Sequence, residues 1–240
     1  MRFLLTSLSS LCSVMVLGSA HAALTAAEGR LIANGSGTND LRVLVGVAPA
    51  IKSGSIKDVQ LAGATTTFDQ QLESNGSVGP KVGLRYLHGT WFDPHWGLKY
   101  GLDGVYMHSA GRAKDKASTT DDTSNMSMDT LSLGLWIGPT VRVDIESFDF
   151  AADFCELELL LGGGPARSTA SFAGASSNSA TGWRYGSSFA VVFTSFSRWQ
   201  YGFEAGYETI GVDGLYWSNT GASEVTAAGL SAALFVGRRL

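Results

Sequence analysis

The sequence predicts an all-β protein, an eight-stranded antiparallel up-and-down transmembrane β-barrel with short periplasmic turns and long external loops. Three observations carry the prediction. The stretch Thr181–Thr209 alternates apolar and polar residues with strand period. Eight stretches of this kind fit between residues 41 and 240, and their connections alternate long and short. Aromatic residues gather near the ends of the stretches rather than in their middles.

The clearest hairpin is residues 181–209. Trp183, Tyr185, Phe189, Val191 and Phe193 share one face; Arg184, Gly186, Ser188, Ala190, Val192 and Thr194 share the other. After a break at Phe196-Ser197-Arg198 the pattern resumes. Trp199, Tyr201, Phe203, Ala205 and Tyr207 then oppose Gln200, Gly202, Glu204, Gly206 and Glu208. Side chains alternate sides along a strand, so one face of each arm is oily and aromatic and the other small, polar or charged. A membrane-spanning strand has about the length of each arm, roughly 10 residues. A soluble antiparallel sheet also wets one face, so the rest of the chain decides.

Composition narrows the choice. No run of 18 apolar residues follows residue 22, so a membrane reading must be a β reading. A net charge of −4 in 240 residues points to no nucleic-acid partner. Arg2, the apolar Phe3–Gly18 and the small-x-small Ala20-His21-Ala22 read as a signal peptide over 1–22. Its removal leaves Cys155 as the only cysteine, which excludes an intrachain disulfide. Export without disulfides, together with half-apolar strands, points to a bacterial envelope protein that folds without covalent staples.

The remaining elements follow in order. Residues 23–40 read as a polar N-terminal periplasmic tail, and 41–240 as the barrel. The first strand is expected over 41–52, with Leu41, Val43, Val45, Val47, Pro49 and Ile51 on one face and Arg42 on the other. A long loop, 53–76, precedes the second strand, 77–88, where Lys81 and Arg85 point inward. After a short turn containing Asp93-Pro94, the third strand, 96–108, turns Lys99 and Asp103 inward. The loop over 109–125 carries Lys114, Asp115, Lys116, Asp121 and Asp122; one acidic pair falls short of the six to eight oxygens that calcium takes. The fourth strand, 130–144, turns Arg142 and Trp136 inward. After the turn Ile145-Glu146-Ser147, the fifth strand, 148–161, is ambiguous. Phe148, Phe150 and Phe154 favour one facing, Leu157, Leu159 and Leu161 the other. Either a β-bulge near Cys155 switches the parity, or the odd residues face lipid throughout and the phenylalanines fill the lumen. Glu156 and Glu158 point inward in both. Loops over 162–180 and 211–223 flank the hairpin, and a last strand over 224–240 turns Leu230, Leu234 and Val236 outward.

Trp96, Phe148, Trp199 and Tyr201, with Trp91, sit by the short turns; Tyr106, Trp183, Tyr185 and Tyr207 sit by the long loops. Two such rings make an interfacial girdle. Pro49, Pro80 and Pro139 each remove a ladder donor, which local bulges at Gly79-Pro80 and Gly138-Pro139 would accommodate.

On these patterns residues 41–240 resemble the small eight-stranded outer-membrane barrels: the OmpA-like transmembrane domain, the OmpX and opacity-type proteins, and the OmpW group. Members usually end in an aromatic residue. Here Leu240 holds that place and Arg238 falls on the lipid-facing parity. The resemblance implies a monomer in contact with outer-membrane lipid and lipopolysaccharide, with a structural or surface-interaction role. Four loops rich in Ser, Thr, Gly and Asn leave an extracellular or host ligand open.

The expected inward charges are Arg42, Lys81, Arg85, Lys99, Asp103, Arg142, Glu156, Glu158, Arg184, Glu204 and Glu208. An eight-stranded barrel is only wide enough for side chains to fill, so these charges should pair into a plug, because unpaired burial is costly. Lys81 with Asp103, and Glu158 with Arg184, lie at similar heights in their hairpins. A narrow passive channel is the alternative. Some barrels of this size, the lipid A deacylases and palmitoyltransferases, carry a Ser/His/acid set near the outer rim. His108 and Ser109 are the local candidates here, but neighbours in a strand face opposite ways. No catalytic set, cofactor or metal site is therefore expected.

Overall fold

The computed structural model describes residues 37–60, 67–115, 124–144, 154–172, 175–195, 197–217 and 220–240. The predicted signal peptide, residues 23–36 of the tail, the turn at 145–147, Phe148, Phe150, Lys116 and Asp121-Asp122 lie outside them. Alternation produces strands wherever it was read: β1 Thr38–Ala48, β2 Ile51–Gln60, β3 Thr67–Ser77, β4 Gly79–Trp91, β5 Trp96–Asp115, β6 Ser124–Asp144, β7 Phe154–Phe172, β8 Ala175–Thr194, β9 Trp199–Leu215 and β10 Ser223–Arg239. Every pairing is antiparallel. Eight strands form a ring that closes where β1 meets β10, from Asp40 opposite Arg239 to Val47 opposite Ala232. β2 continues β1 and pairs with the far part of β10; β3 leads into β4 and pairs with the far part of β5. Closure removes the exposed edges of an open sheet.

The prolines explain the irregularities. Pro49 separates β1 from β2, and Ala228 N donates to Ala50 O at 3.0 Å across the break. Val47 lies opposite Ala232 but Ile51 opposite Ala227, four residues against five, so β10 carries an extra residue there and the parity switches; Lys52, between Ile51 opposite Ala227 and Ser53 opposite Thr226, then switches it back. Ile51 is therefore fully buried inside, not outward with Leu41–Val47 as expected. Of the two bulges expected, the one at Gly79-Pro80 forms against β5, since Ser77 lies opposite Ala110 but Lys81 opposite Met107, four residues facing three; the one at Gly138-Pro139 does not form. Pro80 lies opposite Val47, while the β4–β5 ladder starts only at Lys81. The β6–β7 ladder skips from Ile137–Leu161 to Thr140–Glu158 around Pro139, and from Ser132–Ala166 to Leu135–Gly163 around Pro165, with no change of register. At Pro139 and Pro165 the chain leaves one side of the ladder unmade where a proline lacks its N–H, rather than inserting a residue. At Gly138 a Cβ would lie 1.8 Å from Leu159 O, so only glycine permits that approach.

The fifth predicted strand, now β7, takes the second of its two facings. Leu159 and Leu161 are exposed on the outer wall, and Phe154 turns inward over the guanidinium groups of Arg142 and Arg239 at 4.1 and 5.3 Å. The β6–β7 register does not shift near Cys155.

Several boundaries need correction. The strand β1 starts at Thr38, so residues 38–40 belong to the wall and not to a tail. The loops expected over 53–76, 109–125 and 162–180 are mostly strand, because β2 runs to Gln60, β3 starts at Thr67, β5 runs to Asp115, β6 starts at Ser124, and β7 and β8 extend to Phe172 and from Ala175. The excursions at this end are long, but they are hydrogen-bonded hairpins.

These long strands divide into two zones. On β5 the outward residues from Trp96 to Tyr106 are apolar or aromatic apart from glycine, a rise of about 25 Å for a strand tilted near 40°. Leu131, Leu133, Leu135 and Ile137 on β6, and Leu230, Leu234 and Val236 on β10, are exposed in the same band. Beyond it the polarity inverts. Arg112, Asn125, Asp129, Arg167, Asp213 and Glu224 face out, while Met107, Met126, Met128, Ile210, Val212, Leu215 and Val225 pack inside as one buried cluster. The lower zone is lipid-facing outside and charged inside; the upper zone is built like a soluble barrel. This places the residues of the girdle. Tyr106, Trp183, Tyr185, Trp199 and Tyr207 are exposed and Trp96 and Tyr201 half-buried on the outer wall. Trp91, expected among them, points inward and stacks on Arg142 at 4.2 Å.

Candidate functional site: an ion-paired lumen

All eleven charges assigned inward from the sequence are buried in the barrel: Arg42, Lys81, Arg85, Lys99, Asp103, Arg142, Glu156, Glu158, Arg184, Glu204 and Glu208. Two more join them, Asp40 and Arg239. They separate into two clusters with apolar side chains between.

The cluster nearer the short turns is centred on Lys99. Its Nζ donates to Asp40 at 2.6 Å, Glu156 at 2.8 Å and Glu158 at 2.6 Å. Arg42 donates two parallel bonds to Glu158, both 2.7 Å, and one to Asp40 at 3.2 Å. Gln200 accepts from Arg42 Nε at 3.1 Å. Arg239 clamps Asp40 at 2.8 and 3.1 Å and reaches Glu156 at 2.7 Å; Arg142 reaches Glu156 at 3.0 Å. Planar guanidinium forks meeting carboxylates in this way make strong, directional bonds. The three carboxylates offer oxygens within 4.8 Å of one another, a spacing that could hold a metal. The Lys99 ammonium occupies that position, so the charge is already compensated.

The second cluster surrounds Trp136. Asp103 accepts from Arg184 at 2.6 Å and from Arg85 at 3.2 Å; Glu204 bridges Arg85 and Lys81; and Lys81 also pairs with Glu208. Ser132 and Ser231 bond Arg184 and Glu208, each at 2.8 Å. The guanidinium carbons of Arg85 and Arg184 both lie over the indole of Trp136, at 4.9 and 5.3 Å from the ring centroid. Such stacking is favourable when the cation is desolvated. Leu44, Val192 and Phe235 on one side, and Leu87, Trp136 and Leu160 on the other, form apolar layers in the same lumen.

The pairs expected from the sequence do not form. Lys81 sits opposite Met107 and Asp103 opposite Arg85, because the turn after Trp91 sets the register. That turn is held by Asp93, whose Oδ1 accepts from His95 N and Trp96 N, both at 2.7 Å. Arg184 sits opposite Gly164 and Glu158 opposite Ala190, so Glu158 pairs across the lumen with Arg42 and Lys99 instead. Asp40 and Arg239 carry the parity of Arg42 and Gly237, which was the signal available for them.

His108 and Ser109 lie on opposite sides of the wall. Ser109 is fully buried inside, while outside the Tyr106 hydroxyl donates to Asp129 Oδ1 at 2.6 Å, with His108 Nδ1 2.8 Å from the same oxygen. Near the opposite rim Tyr86 donates to Asn39 at 2.7 Å, and His88 Nδ1 lies 2.9 Å from it. Each rim of the apolar band thus carries a Tyr-His pair tied to an Asx side chain.

The chain matches no protein-family model and no curated protein. Among solved structures it is similar to the outer membrane protein OprG from Pseudomonas aeruginosa, at 12% identity over 85% of this chain and 96% of that one, TM-score 0.46. It is also similar to Ail, the attachment invasion locus protein of Yersinia pestis, at 18% identity over 84% of this chain and 99% of that one, TM-score 0.31. A second Ail structure, in complex with the heparin analogue sucrose octasulfate, aligns at 15% identity over the same 84% and 99%, TM-score 0.30.

Proposed function

We propose that the protein is an outer-membrane barrel that does not conduct and does not catalyse, and that holds a stiff β-structured platform above the cell surface. The observation that carries this reading is the way the lumen is filled. Every carboxylate in it contacts at least two cations, apolar layers lie between and above the charged clusters, and the upper zone has a packed apolar core. A solvated pore would leave a continuous polar path, whereas here Trp136, Leu87 and Leu160 interrupt it. The upper zone adds a second support. Its polar outer wall suits water and its apolar interior suits a self-supporting fold, so the hairpins would be presented rigidly. A rigid scaffold for surface contacts follows, with the short-turn end toward the periplasm.

The test is planar-bilayer recording on refolded protein whose native state is verified by heat-modifiable gel mobility. Silence is expected. Stable single-channel steps would overturn the plug and favour a narrow passive channel for small solutes.

A further inference from the structure

We propose that a cleft on the outer wall, just above the lipid-facing band, binds the phosphorylated sugar headgroup of an outer-leaflet glycolipid. This rests on the reading that the extended end faces outward. The cleft has a volume of about 580 Å³ and is lined by Ser77, Ala110, Arg112, Asn125, Ser127 and Ser171, with Gly111 and Met126 between them. Small-molecule sites commonly fall in that range, roughly 300–1,000 Å³.

Register places the lining on the outer face. Ser77 lies opposite Ala110, Ala110 opposite Ser127, and Ser127 opposite Ser171, so four strands contribute one row of small residues. Arg112 and Asn125 are opposite each other one step further from the membrane, and both are exposed. Small side chains leave the hollow; three hydroxyls, one amide and one guanidinium ring it. No carboxylate lines it. Among the residues whose side chains the structure describes, none is an acidic partner of Arg112. Hydroxyls and amides suit a polyhydroxylated ring, and a guanidinium suits a phosphate bidentately.

Position selects a lipid rather than a free sugar phosphate. One row toward the membrane lies Asp129, opposite His108, already bonded to Tyr106 and His108. The next outward residue on the same strand is Leu131, where the lipid-facing band begins; Leu131, Leu133 and Leu135 are 62–67% exposed. A molecule with acyl chains along those leucines would carry its headgroup to the cleft.

The experiment uses the full barrel in phosphatidylcholine nanodiscs, titrated with bis-phosphorylated lipid A and read by native mass spectrometry. Arms with dephosphorylated lipid A, phosphatidylglycerol and glucosamine 6-phosphate distinguish the sources. Lipid A should bind, with at least a tenfold loss in Arg112→Ala and in dephosphorylated lipid A, and with Arg238→Ala unchanged at the far rim. Equal binding of phosphatidylglycerol, equal binding of the free sugar phosphate, or indifference to Arg112→Ala would each overturn it. The orientation is checked separately. Ser127→Cys in a Cys155→Ser background should label on intact cells with an impermeant maleimide. Failure to label there, with lipid binding intact, would reject the outward orientation and leave the cleft's chemistry standing.

Discussion

Replacing Lys99 with methionine removes the cation at the centre of the lower cluster. The ammonium is fully buried and lies 2.6, 2.8 and 2.6 Å from Asp40, Glu156 and Glu158. Charge-assisted bonds of this kind contribute about 1.5–3 kcal/mol each, but the three do not simply add. Glu158 keeps Arg42, Asp40 keeps Arg42 and Arg239, and Glu156 keeps Arg142 and Arg239. The loss is therefore set by removing the one donor that three crowded carboxylates share, which leaves their inner oxygens facing each other although the outer arginines remain, about 3–5 kcal/mol for breaking one member out of a buried ionic group. That is roughly a hundredfold to a few thousandfold in the folding equilibrium. Urea unfolding of the barrel in lipid vesicles, followed by tryptophan fluorescence, measures it. Glu158→Gln in the Lys99→Met background should recover part of the loss, giving a coupling energy above about 1 kcal/mol in a double-mutant cycle. A loss under about 1 kcal/mol, or additive effects of the two substitutions, would refute the account of the lumen as an ion-paired plug.

Trp136→Ala should lower stability by about 3–5 kcal/mol, since it empties the space beneath Arg85 and Arg184 and uncovers Leu87 and Leu160; the same urea titration reads it. Met128→Asp, which places a carboxylate in the buried upper cluster, should leave the barrel in the membrane but make the hairpins above the band susceptible to proteinase K on intact cells. Wild type should resist cleavage in β5–β8. Cys155 is on the outer wall but covered by Leu157, Val191, Phe193 and Tyr201. A water-soluble maleimide should therefore react with it slowly in the folded barrel and promptly in urea.

The facing of almost every strand was legible in the sequence, because side-chain direction in a strand is a local property with period two. Trp136 and the inward arginines and glutamates could be picked out from parity alone. So could the outward leucines of β6. Parity failed at Ile51, where a proline and one extra residue reset the count, and it was silent at β7, where phenylalanines and leucines fall on opposite faces. It also stopped short at the ends of strands, which hid Asp40 and Arg239. The upper core was invisible for a different reason. Met107, Met126 and Met128 alternate with polar residues in the opposite sense to the band below, so a search for oily outer faces reads their surroundings as loop.

From the sequence alone came the alternation, the short turns and the set of charges that must share an interior. Tertiary structure decided who pairs with whom. Arg42 and Glu158 are 116 positions apart, and Arg239 and Asp40 are 199 apart. Only closure of the ring and the register set by each turn bring such groups within bonding distance. Periodicity carries no information about either, since a shift of two residues preserves every facing while exchanging every partner.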